Sequence, residues 1–269
     1  MKNSLNSKSI SQNQTFCVII QARLASARFP KKTMKIIKNH PLLYYLLNQA
    51  RYSKKISKII VATTELPEDD EIEDFVRSFG IDVFRGNTND VLDRYYQCAK
   101  KFSICNIIRL SADNPLIDPS IIDDCIEKFE NGRYDYVSNI INNSSNLWKY
   151  SQNGFPHGFS VEVFTFDALK FAWKSSKSTQ EREHVTPFVT KNPSLFKLGY
   201  IKNQLDYSKI RVTVDYEKDF QVIKHIIENL STNNFFRMND IVSYLTNNPH
   251  LIKLNSVDCK TSYYGIINQ

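Results

Sequence analysis

Apolar residues recur along the chain in two rhythms, and the switches between them mark out the elements. Short apolar runs at 16–20, 59–62 and 106–110 have the length and composition of strands buried on both faces. Between them, apolar positions three and four apart predict helices. Residues 41–52 set Leu42, Leu43, Leu46 and Leu47 on one side, with Pro41 suited to the first turn. Residues 69–79 are acidic in their first turn and are stopped by Gly80. The same reading predicts strands at 82–84, 134–138, 159–164 and 210–214. It predicts helices at 91–102, 120–129, 167–174, 181–190, 216–229 and 239–247. Repeated strand–helix units argue for an α/β fold, a mostly parallel sheet with helices on both faces. The rhythm loosens from 140 to 155, which is rich in Asn and Ser. The expectation is therefore one domain over 16–269 with an excursion at about 140–190, preceded by a flexible polar tail at 1–15.

Charge and cysteine usage narrow the classes of partner. The formal net charge of +7 favours acidic ligands. The positive residues are spread along the chain without a long basic block, which argues against nucleic acid. No stretch approaches the ~20 apolar residues of a membrane span. Cys17, Cys98, Cys105, Cys125 and Cys259 form no close pair and no metal-type spacing. They read as buried small hydrophobes in a reducing compartment, so a cytoplasmic protein is expected.

Candidate chemistry gathers at strand ends. After the first strand comes a loop with Arg23, Ser26, Arg28, Lys31 and Lys32. Guanidinium and ammonium groups are the usual partners of phosphate, so the loop fits a polyphosphate; an ordinary basic surface loop is the alternative. Asp113 follows the strand at 106–110, and Asp215 follows the one at 210–214. In an open α/β sheet, both would reach the crevice that the cationic loop borders. Two carboxylates can hold one Mg²⁺, which keeps its remaining places for water and substrate phosphates. Taken singly, Asp113 also reads as a turn former and Asp215 as a helix cap. Asp219, four residues on, reads as a support for Asp215 or as a solvated residue.

Five segments in order carry a resemblance to a known family. They are Gln21-Ala22-Arg23 to Lys32, Arg85-Gly86 to Asp90-Val91-Leu92-Asp93-Arg94-Tyr95, the Asp113 segment, Glu181 to Pro187, and the Asp215 segment. Together they resemble the spore-coat-polysaccharide-type cytidylyltransferases, relatives of the enzymes that make CMP-activated ulosonic and sialic acids. The resemblance implies a Rossmann-like nucleotidyltransferase fold, CTP with Mg²⁺ as cofactor, a small acidic sugar as acceptor, and release of pyrophosphate. It places Arg23, Ser26, Arg28 and Lys32 on the triphosphate, Gln21, Ala22 and Thr63 near the nucleoside, and Asp113 and Asp215 on the metal. Lys32 and Arg23 would offset charge on the leaving group.

On the sugar side, the resemblance points to His157, Glu162 and Glu181. Arg85 and Arg94 flank a helix start and could take the acceptor's carboxylate; a solvated helix face is the alternative for Arg94. Glu181 also suits the dipole of a helix start and local ion pairing, and His184 reads as structural. The chain departs from the family pattern where Ala25 and Lys31 replace common glycines, and where His157 and Ser160 replace acids. Aromatics at Trp148, Tyr150, Phe155, Phe171 and Trp173 predict a homodimer through the excursion; packing on their own subunit's sheet is the alternative. Two rival readings remain: a sugar-nucleotide-dependent glycosyltransferase, and a non-catalytic nucleotide- or nucleic-acid-binding module. The first is opposed by Asp113-Asn114-Pro115, which lacks a second Asp two residues on.

Overall fold

A computed structural model describes residues 15–142, 150–151, 153–230 and 233–256. The tail expected at 1–15, apart from Thr15, lies outside them, as do Trp148, the Tyr150 side chain and Cys259. The strands are β1 (Phe16–Gln21), β2 (Ile36–Ile37), β3 (His40–Pro41), β4 (Ile56–Thr64), β5 (Asp82–Gly86), β6 (Asn106–Ser111), β7 (Tyr136–Ser138), β8 (Ile141–Asn142), β9 (Tyr150–Ser151), β10 (Glu162–Thr165) and β11 (Leu198–Tyr200). The helices are α1 (Leu42–Ala50), α2 (Asp70–Ser78), α3 (Val91–Lys101), α4 (Pro119–Gly132), α5 (Phe166–Ser175), α6 (Thr179–His184), α7 (Pro187–Lys191), α8 (Glu217–Leu230), α9 (Met238–Asn247) and α10 (Pro249–Leu254).

Seven strands form the central sheet in the order β11-β7-β10-β6-β1-β4-β5, and β10 alone among them runs against its neighbours. β1 is an interior strand, in register with β6 on one side (Ile19 opposite Arg109) and β4 on the other (Ile19 opposite Ile60). Burial on both faces explains its unbroken apolar run. Val18 and Ile20 join Leu43, Leu46, Leu47, Ile223 and Ile226 in one layer; Ile19 joins Tyr95, Cys98 and Leu169 in the other. Helix starts follow local chemistry. Asp90 caps α3 through the Asp93 amide at 2.8 Å, and Thr165 caps α5 through the Ala168 amide at 3.0 Å.

Three expectations need correction. Residues 210–214 form no strand. Their alternating apolar side chains, Ile210, Val212 and Val214, are buried, but the backbone makes only one bridge, Arg211 with His157. The strand expected at 159–164 starts only at Glu162. The helix expected at 181–190 breaks at Val185, whose φ of 72° and ψ of −57° form a γ-turn closed by the Thr186 amide on the His184 carbonyl at 2.9 Å. Cysteine burial is also uneven: Cys17, Cys98 and Cys125 are buried, whereas Cys105 is exposed. No helix among the described residues is long and apolar enough to cross a membrane.

Candidate active site

The cationic loop leaves the carboxyl end of β1 and is pinned at both ends. Leu24 and Phe29 are buried, and the Phe29 ring lies 5.7 Å from that of Phe220 on α8. The Leu24 amide donates to Asp69 at 2.7 Å, and the Lys31 amide donates to the Leu24 carbonyl at 3.1 Å. Arg23, just before the first anchor, and Arg28, between them, are exposed, and Ser26 is half-buried. The loop turns at Lys31, whose φ of 54° and ψ of 25° lie in the left-handed region. A glycine would sit there without strain, whereas a side chain costs about 1–2 kcal/mol.

The turn delivers Lys32 to both candidate carboxylates. Its ammonium lies 3.2 Å from Asp215 Oδ1 and 3.6 Å from Asp113 Oδ2, and donates to the Val214 carbonyl at 2.6 Å. Asp113 follows β6, as expected. Asp215 arrives by another route than the sheet: the extended segment 210–214 docks on the Asp113 loop. The Val214 amide donates to the Asp113 carbonyl at 2.8 Å and Thr213 Oγ1 donates to it at 3.2 Å. On its other side the segment grips His157, through the Val212 amide at 2.7 Å and the Ile210 carbonyl at 2.9 Å. This approach requires Gly158, with φ of +109°, since a Cβ there would lie 2.6 Å from the Val212 carbonyl carbon.

Asp215 is surrounded by positive charge. Arg28 meets Oδ1 at 3.0 Å and Arg211 meets Oδ2 at 2.7 Å. Burial pushes the Asp215 carboxyl up, but Lys32, Arg211 and Arg28 outweigh it and hold it below the usual range. Behind it, Asp219 is buried and accepts five hydrogen bonds. They come from Arg211 Nε at 2.9 Å, Arg211 NH2 at 3.2 Å, the amides of Asp215 and Tyr216 at 2.9 and 3.0 Å, and Asn255 at 3.1 Å. Burial pulls the Arg211 guanidinium down, and Asp219 and Asp215 more than restore it. Arg211 and Asn255 were missed from the sequence. The signal for Arg211 was the four-residue spacing of Arg211, Asp215 and Asp219, which reads equally well as strand-end polarity; Asn255 carried none.

The remaining candidates are distributed more widely. Gln21 accepts from Arg109 Nε and NH2 at 3.3 and 3.1 Å. Arg109 also pairs with Glu162, which is buried and accepts from Tyr136 at 2.8 Å and Thr186 at 2.5 Å. Glu162 thus touches protein groups through both oxygens and aligns Arg109 and, through it, Gln21. Thr63 is fully buried, and its hydroxyl meets no partner among the described residues. Arg85 spends its donors on the carbonyls of Thr64 and Leu66 and on Glu73 and Asp70 of α2.

Arg94 has no solvated face: it is 2% exposed. It donates to the Asn87 carbonyl at 3.1 Å, and its Nε meets no acceptor among the described residues. Burial lowers its guanidinium pKa. Burial likewise pushes His157 down to about 4, with Arg211 adding to the effect, and draws His184 below its ordinary value. Glu181 lies 3.6 Å from Lys191. Phe155 is buried, and Trp173 stacks on Tyr96 at 4.1 Å and donates to Asp93 at 2.8 Å. Both aromatics are therefore packed within their own subunit, while Phe171 remains half-exposed.

Among the described residues no three His, Cys, Asp or Glu side chains gather as a metal cage. Two carboxylates that share one ammonium do suit a hard cation that takes most of its ligands from phosphate and water.

Comparison with known proteins points to one family. The sequence model of the family described as Cytidylyltransferase matches residues 17–259. The chain is 28% identical over 240 residues to the spore coat polysaccharide biosynthesis protein SpsF of Bacillus subtilis, covering 86% of this chain and 94% of that protein. It is 32% identical over 110 residues to the 3-deoxy-manno-octulosonate cytidylyltransferase of Geobacter sulfurreducens, covering 40% of this chain and 42% of that protein. The solved structure of a cytidylyltransferase from Leptospira borgpetersenii superposes with a TM-score of 0.80 at 31% identity, covering 89% of this chain and 97% of that one.

Proposed function

Since the chain belongs to the cytidylyltransferase family, we propose that it transfers CMP from CTP to a sugar acid of ulosonic type for cell-surface polysaccharide biosynthesis. The observation that carries this reading is the convergence of Lys32, Asp113 and Asp215 beside the exposed cations of the β1 loop. An acceptor hydroxyl attacks the α-phosphorus of CTP, the bond from that phosphorus to the bridging oxygen breaks, and pyrophosphate leaves. Arg23, Ser26, Arg28 and Lys32 bind the triphosphate and oppose the charge that builds on the leaving group. Gln21, Ala22 and Thr63 face the nucleoside, with Arg109 fixing the Gln21 amide. Asp113 and Asp215 hold Mg²⁺, which when bound supplies charge neutralisation at the α-phosphate and a lower pKa for the attacking hydroxyl.

The acceptor lies toward Arg94, His157, Glu162 and Glu181. A buried guanidinium is costly unless an anion completes it, and Arg94 meets no carboxylate among the described residues, which supports it as a seat for the sugar's carboxylate. Arg85, already bound to two acids, contributes from farther out. A homodimer belongs to the same reading. Its support is the half-exposed Phe171, which packs against Phe188 and Phe196 at 6.0 and 5.6 Å, with exposed Leu195 next to Phe196 in the chain.

Pyrophosphate release, measured over four nucleoside triphosphates and a panel of ulosonic acids and sugar phosphates, tests the assignment. Turnover with CTP and one sugar acid is expected, lost in Asp113→Asn and Asp215→Asn. Release from no combination, together with salt-sensitive RNA binding, would overturn it in favour of a binding module.

A further inference from the structure

Three cations meet the two oxygens of Asp215, and they are held very differently. Arg211 sits on Oδ2 with its side chain 8% exposed, and two of its nitrogens are committed to buried Asp219. Asp219 in turn holds the backbone amides of Asp215 and Tyr216. To withdraw Arg211, a buried network would have to be broken. Lys32 and Arg28 share Oδ1 from the opposite side, and both hang from the β1 loop. The Arg28 side chain is 46% exposed. Lys32 carries a compact ammonium on a four-carbon stem that can be re-aimed without disturbing a fork of bonds. It also bridges to Asp113, so it occupies the space between the two carboxylates.

An ammonium and a divalent cation cannot share that space, because like charges at contact distance repel strongly where solvent is scarce. The β1 loop offers the ammonium a second destination, since a triphosphate bound there would bring anionic oxygens within reach of the same stem. We propose that Lys32 is an exchangeable counter-ion. It neutralises the Asp113–Asp215 pair until nucleotide enters, then moves to the phosphates as the divalent cation takes its place between the carboxylates, while Arg211 and Asp219 keep Asp215 fixed. This rests on the metal-dependent reading above. Charge at the pair is then balanced in both states, and metal and triphosphate bind as coupled ligands, each raising the other's affinity by the same factor.

The test measures Mn²⁺ binding to the full chain by electron paramagnetic resonance, with and without a CTP analogue that has a methylene between the α- and β-phosphorus. In the wild-type protein, Mn²⁺ binding should be weak alone and tighten roughly tenfold or more with the analogue. Lys32→Met should bind Mn²⁺ at least about tenfold more tightly than wild type without nucleotide, and depend less on the analogue. Lys32→Gln, which keeps a polar tip, should behave alike and covers poor folding of the Met variant. Equal Mn²⁺ affinity of wild type and both variants without nucleotide would overturn the exchange while leaving the metal site standing. No protein-bound Mn²⁺ in any form, with or without analogue, would remove the metal reading itself.

Discussion

Replacing Asp219 by Asn tests whether the site depends on the buried support behind Asp215. The carboxylate is 2% exposed and receives five donors: two from Arg211, two backbone amides and Asn255. An amide of the same size offers one acceptor oxygen in place of two. Whichever way it turns, its NH₂ faces either the guanidinium or the amides of Asp215 and Tyr216. Buried Arg211 would keep only Asp215 as a counter-charge. Weakening a buried pair by removing one partner costs about 3–5 kcal/mol, against a total stability of roughly 5–15 kcal/mol for a folded protein. The variant should therefore fold but unfold at a clearly lower urea concentration, with an unchanged slope. Because the support behind Asp215 weakens in either orientation, the Mg²⁺ concentration for half-maximal turnover should rise. Asp240→Asn, at an exposed position on α9, is the control and should stay within about 0.5 kcal/mol of wild type. A loss below about 1 kcal/mol for Asp219→Asn, with unchanged Mg²⁺ dependence, would refute the reasoning.

Lys31→Gly should raise stability by roughly 0.5–1 kcal/mol, since relief of the left-handed strain exceeds the entropy cost of glycine and the exposed Lys31–Glu71 contact at 3.5 Å contributes little; a lower melting temperature would contradict this. His157 is held neutral in the fold, with its pKa down at about 4 from 6.5, so the unfolded chain takes up the proton first as pH falls. Stability should drop between about pH 6.5 and 4 by up to roughly 3 kcal/mol from this group, and His157→Gln should flatten that part of the pH profile in denaturant titrations. Arg94→Met should leave stability equal or higher, because it removes a buried cation that pairs with no carboxylate among the described residues, while raising the KM for the acceptor roughly tenfold or more and sparing that for CTP. An unchanged acceptor KM would place the carboxylate elsewhere.

The central strands, the helices on either face and the cationic loop follow from periodicity, because β1 and β6 bury both faces and α1 buries one stripe wherever the rest of the chain goes. Asp113 belongs with them: it needs only the end of β6. By contrast, Ile210, Val212 and Val214 alternate as a strand does, yet their burial comes from docking on the Asp113 loop and on His157. Alternation reports which side chains are buried. It does not report whether backbone partners lie alongside. The missed strand β11 is three residues long and exists through its pairing with β7.

Side-chain roles divide along the same line. The sequence alone determined which residue types stand at the ends of β1 and β6, and hence that anions suit this crevice. The tertiary structure decided which of those charges are already matched. Arg85 and Arg94 look alike in the sequence, but α2 supplies Asp70 and Glu73 to the first, while the second is buried over Gly86 with a single carbonyl. Glu162 became an internal brace because Arg109 from β6, Tyr136 from β7 and Thr186 from the turn before α7 converge on it. Lys32 reached both carboxylates, with Asp219 supporting Asp215, only when a segment about a hundred residues beyond Asp113 folded back against it. Local sequence sets what a backbone and a side chain can do. Partners that distant are set by packing, and packing fixes the charge each group must balance.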